Sequence, residues 1–139
     1  MELVEAVGVG PVGLDTAIFI YFIEEHPRYL SALQAIFARL DAGELRAVTS
    51  AVTLGEVLVV PYRVRDFALA ERYESLLTRS RGLVFRDLDR QLLRAAAQLR
   101  ASTGMRMPDA LQVAAAFGGQ CSTFLTNDRR VPSIPGLDI

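Results

Sequence analysis

Four acidic residues stand where the local pattern changes: Asp15 in VGLDTAIFIYF, Glu56 in TLGEVLVV, Asp109 in RMPDALQVAAA and Asp128 in FLTNDRR. A carboxylate flanked by apolar residues is drawn toward the interior as they pack, and an ionised group there needs a partner or takes up a proton. Several gathered together suggest a bound cation. Mg2+ and Mn2+ are hard ions that prefer carboxylate oxygen, so a set of Asp and Glu without His or Cys suits them. With His26 as the only histidine and Cys121 as the only cysteine, an internal disulfide and a zinc site built on Cys and His are excluded within one chain.

Taken singly, each acid also has a structural explanation. Asp15 is placed to N-cap a helix starting at Thr16 or Ala17, and Glu56 to close a capping box with Thr53. Asp109, beside Pro108 in a helical first turn, favours the helix dipole, and Asp128 suits an ordinary turn. His26, a lone histidine before a proline, reads as a helix end, and Cys121 as a small core residue.

The elements that must position these acids follow from apolar spacing. Val12 to Leu14 reads as a buried strand ending at Asp15, followed by a helix over Ala17 to Glu25 that His26-Pro27 terminates. Pro27 then opens a second helix, with Leu30, Leu33, Ile36, Phe37 and Leu40 at helical spacing up to Gly43. Ala47 to Ser50 is a strand, Thr53 to about Val60 a helix, and 66 to 79 another. Leu83 to Phe85 is a short strand, a helix runs from Asp89 to Gly104, and Pro108 begins a helix that stops near Gly118-Gly119. Ser122 to Leu125 leads as a strand into Asp128, and VPSIPGLDI is a proline-rich tail with room for one last short strand.

This alternation implies an α/β fold: a central, mostly parallel sheet with helices on both faces, binding ligands outside the carboxyl ends of its strands. Asp15 and Asp128 follow strands, while Glu56 and Asp109 lie in first turns of helices, so one end of the sheet could collect all four. At 139 residues a single domain spanning 1–139 is expected.

Hydrophobic residues make up 51% and charged residues 22%, which fits an ordered globular chain rather than a disordered acidic or basic arm. No stretch approaches the ~20 apolar residues needed to span a bilayer, and MELVEAVGVG carries acids where a signal peptide carries positive charge. A cytoplasmic location is expected. Net charge is −1, but if metal neutralises the four acids, fifteen basic groups face twelve acidic ones. All fifteen are arginine, which suits phosphate contact, although a GC-rich genome or a thermophilic source gives the same bias and explains it more simply. Arg63, Arg65, Arg72, Arg79, Arg81 and Arg86 outnumber Asp66, Glu71 and Glu74 and are the candidate RNA-contacting stretch, with a solvated helical face as the alternative.

Taken in order, LDT, TLGEV, MPDALQVAAA and FLTND resemble the PIN domain, a compact ribonuclease fold, and especially the short VapC-type toxins of toxin–antitoxin pairs, from about Val12 to Leu137. The family shows a strand-end Asp followed by a polar residue, a Glu inside a T-x-x-E-V-like helix, a later P-D-A helix and a terminal T-x-D turn. On that resemblance Asp15, Glu56, Asp109 and Asp128 are catalytic residues and ligands to Mg2+ or Mn2+, with Thr16 and Thr126 as polar groups orienting them. Many relatives have Asn where Thr16 stands, and Ile139 cuts short the final strand they usually have.

The resemblance further implies hydrolysis of single-stranded RNA by water, leaving a 5′-phosphate and a 3′-hydroxyl, by a homodimer held inactive through a small antitoxin. Two other readings share the fold: a catalytically inactive PIN-like module binding RNA or protein, and a housekeeping RNA-processing nuclease. An Asp-dependent phosphotransfer domain also uses strand-end Asp and Mg2+, but it expects a lysine partner and this chain has no lysine.

Overall fold

Val12–Leu14 (β1) and Ala47–Ser50 (β2) are buried at every residue, as strands in the middle of a helix-covered sheet must be. The computed structural model, which describes residues 7, 8 and 10–127, places them at the centre of a four-stranded sheet. Among the described residues its outer strands are Leu83–Arg86 (β3) and Thr123–Leu125 (β4), in the order β3-β2-β1-β4. Every pairing is parallel, with Val12 opposite Ala47 and Thr123, and Ala47 opposite Leu83. The expected α/β architecture is therefore present, with all carboxyl ends of the strands on one side.

Seven helices connect the strands among the described residues: Thr16–Ile23 (α1), Leu30–Asp41 (α2), Ala51–Val57 (α3), Val59–Arg63 (α4), Phe67–Arg79 (α5), Arg90–Thr103 (α6) and Met107–Gly118 (α7). They divide the core in two. One half joins Val12, Leu14 and Ala47 to Phe19, Ile36, Phe37, Tyr73 and Leu77 from α1, α2 and α5. The other joins Val48 and Phe124 to Leu92 and Ala96 of α6 and the run Ala110, Leu111 and Val113 to Ala116 of α7. Gly13 lets α7 approach, since a Cβ there would fall 2.7 Å from the Ala116 Cβ. The Tyr73 hydroxyl donates to Glu24 Oε2 at 2.7 Å, and burial together with that carboxylate pushes the phenol pKa upward.

Several element boundaries differ from those expected. Helix α1 stops at Ile23 instead of Glu25, because Glu25 takes a left-handed φ of 55° and the His26 N–H turns back to Tyr21. Pro27 opens a turn, and α2 starts only at Leu30. Helix α3 begins at Ala51, straight out of β2 with Ser50 as its N-cap residue, so Thr53 lies inside the helix and caps nothing. The chain then breaks at Leu58, consistent with Pro61 having no N–H to offer the Val57 carbonyl. Helix α7 begins one residue before Pro108, and β3 continues through Arg86. The helices at 67 and 90 are N-capped by Asp66 and Asp89, which accept from the Leu69 and Leu92 N–H groups. Gly104 closes α6 with a left-handed φ of 76°. The proposed strand in VPSIPGLDI lies outside the described residues.

Candidate active site

β1 ends at Leu14 and α1 begins at Thr16, so Asp15 occupies the junction at the carboxyl end of the sheet. Its N–H donates to the Leu125 carbonyl, which locks the ends of β1 and β4 together. The Asp15 residue is 8% exposed. Its Oδ1 accepts from the Thr16 N–H at 2.8 Å and its Oδ2 from the Thr126 hydroxyl at 2.7 Å, and these charge-assisted bonds offset the desolvation of the carboxylate. The capping role expected of Asp15 is real, and so is its link to Thr126.

Glu56 projects from α3 and is exposed. The capping box with Thr53 is absent; instead the Thr16 hydroxyl donates to Glu56 Oε1 at 2.6 Å. Thr16 therefore touches both carboxylates, Asp15 through its backbone and Glu56 through its side chain. Asp109, in the first turn of α7, has its Oδ2 3.3 Å from Arg106 Nε. It stands one turn before Gln112 on the same stripe of α7, and the Gln112 amide reaches Thr16 at 3.1 Å. Asp128 lies outside the described residues, and among those described no three Asp, Glu, His or Cys side chains form a ready metal cage.

Beneath these acids lies a buried polar network: Thr16, Thr49, Ser50, Thr53 and Gln112, each 9% exposed or less. Gln112 Oε1 accepts from the Ser50 N–H at 3.1 Å and the Ser50 hydroxyl at 2.8 Å. A backbone N–H can only donate, so it fixes which end of the amide faces Ser50, leaving Nε2 to face Thr16 and Thr53. Each hydroxyl has one proton. With the Thr16 proton on Glu56 and the Thr49 proton on the Leu14 carbonyl at 3.0 Å, the Thr53 proton completes the 2.8 Å contact with Thr49. No buried side-chain nitrogen or oxygen among the described residues lacks a partner.

The network is what reading the sequence missed, apart from Thr16. Gln112 had a signal: it is the one polar residue in the buried run Ala110 to Ala116 of α7. The arginines are not gathered on one surface. Arg86 lies at the carboxyl end of β3, 3.9 Å from Asp89, whereas Arg79 and Arg81 precede the amino end of that strand. Arg63 ends α4, Arg65 lies in the turn before α5, and Arg72 is within α5. His26 and Cys121 stay outside the network; the His26 ring lies against Tyr21 and Tyr29, and burial pushes the Cys121 thiol up to about 11.

No curated protein matches the chain. Among solved structures, it resembles a toxin–antitoxin complex from Klebsiella pneumoniae with a TM-score of 0.68 and 20% identity, covering 92% of this chain and 95% of that one. It also resembles the crystal structure of VapBC2 from Rickettsia felis bound to a DNA fragment from their promoter, with a TM-score of 0.60, 22% identity and coverage of 91% and 95%. At such identities the likeness speaks for the fold. The sequence itself matches the PIN domain over residues 12–137, and the chain therefore belongs to the PIN domain family, a family of nucleases.

Proposed function

We propose that this chain is a metal-dependent endoribonuclease acting on single-stranded RNA, and the toxin of a VapBC-type pair. One observation carries the reading: Asp15 and Glu56, from different elements, are held by the same residue, Thr16, at the carboxyl end of the sheet. In α/β folds of this kind that end is where ligands bind.

Asp15, Glu56, Asp109 and Asp128 are the proposed catalytic residues and metal ligands. Their donors are all carboxylate oxygens, which fits Mg2+ or Mn2+ and no softer ion. Such an ion, when bound, supplies charge neutralisation at the scissile phosphate and lowers the pKa of water. The chain's own part is orientation. Thr126 and the Thr16 N–H fix both oxygens of Asp15, Thr16 fixes one oxygen of Glu56, and Arg106 holds Asp109 from a largely exposed position. Asp15 is the best fixed of the three, with one oxygen held by a backbone N–H and the whole residue buried, so it needs little reorganisation to engage its ligand.

A homodimer and a small antitoxin are the proposed partners. The solved relatives include toxin–antitoxin complexes, and Val59, Val60, Tyr62, Val64 and Phe67 crowd one exposed segment of α4 and the turn into α5. No helix among the described residues is long and apolar enough to cross a membrane.

The test is cleavage of a labelled single-stranded RNA with Mn2+ or Mg2+. EDTA should abolish it, and Asp15→Asn should slow it by orders of magnitude with far-UV circular dichroism unchanged. Wild-type rate in the Asp15→Asn protein would remove the assignment.

A further inference from the structure

We infer that Gln112 is a positioning residue for the candidate site, acting on Glu56 through Thr16; this rests on the nuclease reading above. Gln112 is 3% exposed within the otherwise apolar buried run Ala110 to Ala116, and a buried side-chain amide there is costly unless it is fully bonded. It is fully bonded, and every bond runs one way. Ser50 donates twice to Oε1, while Nε2 donates one proton to Thr16 and one to Thr53.

Direction is the point. A threonine hydroxyl that accepts from the amide can still donate only one proton, and with Gln112 on its acceptor side Thr16 gives that proton to Glu56 at 2.6 Å. Glu56 is exposed and on a helix surface, where a glutamate ordinarily samples several rotamers. Gln112 thus selects, through one hydroxyl, a single orientation of an exposed carboxylate. Its lever is rigid because Ser50 lies at the junction of β2 and α3 and is wholly buried.

Replacing Gln112 by methionine keeps length and volume but removes both N–H donors together with the oxygen that accepts from Ser50. Thr16 is then free to turn its proton toward Thr53, 3.2 Å away, and Glu56 loses its anchor. Mn2+ affinity measured by calorimetry well below the melting temperature should fall by about tenfold or more, the usual effect of removing a group that orients a ligand. In steady-state RNA cleavage, kcat should fall while KM for RNA stays near wild type.

Should Gln112→Met fail to fold, Ser50→Ala carries the same test. It loosens the amide by one bond and keeps the backbone donor, so a smaller loss of roughly threefold in Mn2+ affinity is expected. If the variant that folds binds Mn2+ and turns over like wild type, with only a lower melting temperature, Gln112 is a packing residue and the inference is overturned. If wild type itself neither binds Mn2+ nor cleaves RNA, the nuclease reading fails and this inference falls with it.

Discussion

Thr16 and Glu56 are separated by forty residues of chain, yet the Thr16 hydroxyl donates to Glu56 Oε1 at 2.6 Å while the Thr16 N–H holds Asp15 at 2.8 Å. Thr16 can do both because it is the first residue of α1, where its N–H has no partner within the helix. Its side chain is left to face α3. The first strand–helix junction is thereby coupled to the second.

That coupling makes Thr16→Val informative, because valine matches threonine in shape but cannot donate. The variant should lose about 10–100-fold in metal affinity or cleavage rate, while Thr16→Ser, which keeps the hydroxyl, retains most of both. Calorimetry with Mn2+ and a cleavage time course suffice. Equal losses in the two variants would point to packing by the methyl group instead of the hydroxyl.

Mn2+ should also stabilise the fold. Two like charges 4 Å apart repel by roughly 4 kcal/mol at an effective dielectric of 20, so a cation relieves a clustered acidic site. At a hundred times its dissociation constant it adds about 2.7 kcal/mol, raising the melting temperature by roughly 8 °C for a chain of this size. Glu56→Gln should lose most of that rise. A melting curve indifferent to Mn2+, with no heat of binding, would count against the site.

The sheet and the helix positions were readable because apolar spacing reports burial directly: Ala47–Ser50 and the helices near 67 and 90 lie where that spacing puts them. Asp15 and its strand-end position were readable for the same reason. Thr53 was not. The T-x-x-E pattern is identical whether threonine starts a helix or lies within one, and only β2 running directly into α3 decides it. Nor could sequence show that Glu56 answers to Thr16, since a contact across forty residues has no local signature. Asp128 belongs to residues outside those described, so its place beside Asp15 remains a proposal.

The arginines should divide into two groups. Helix α5 has thirteen residues, about 20 Å long, and delivers Arg79 and Arg81 to the amino end of β3, opposite the carboxyl ends where Asp15 lies. Arg63 and Arg65 stand at the other end of α5. Alanine at both Arg63 and Arg65 should weaken RNA binding and flatten its salt dependence by about one to two units of slope, whereas alanine at Arg79 and Arg81 should leave the slope unchanged. Filter binding of the Asp15→Asn protein over a salt series would read this out, and the reverse pattern would move the RNA path to the far end of the sheet.

Alkaline stability should depend on Cys121. Burial raises its thiol from 9.0 to about 11, so between those values the folded chain keeps a proton that the unfolded chain releases. Stability is therefore full below pH 9 and falls as pH rises toward 11, by at most about 3 kcal/mol. Tyr73, also raised, pulls in the same direction, so the Cys121→Ala protein is the control. Its denaturant midpoint should fall less steeply over that window than that of wild type; parallel falls would assign the loss to other groups.

Assembly is the remaining prediction. Val59, Val60, Tyr62, Val64 and Phe67 are each about half exposed or more within nine residues, whereas the nearby Leu58 packs against the core. An amphipathic helix laid on such a segment would bury its apolar side chains and bring the partner close to Glu56 on the adjoining α3. Sedimentation should show a homodimer, and co-expression with the neighbouring open reading frame should yield a copurifying inhibitor. Tyr62→Arg with Phe67→Glu should release that inhibitor while the purified variant still cleaves RNA, because neither side chain is among the proposed ligands. A monomer at micromolar concentration, harmless when expressed alone and without a copurifying partner, would instead favour a housekeeping RNA-processing nuclease on the same fold.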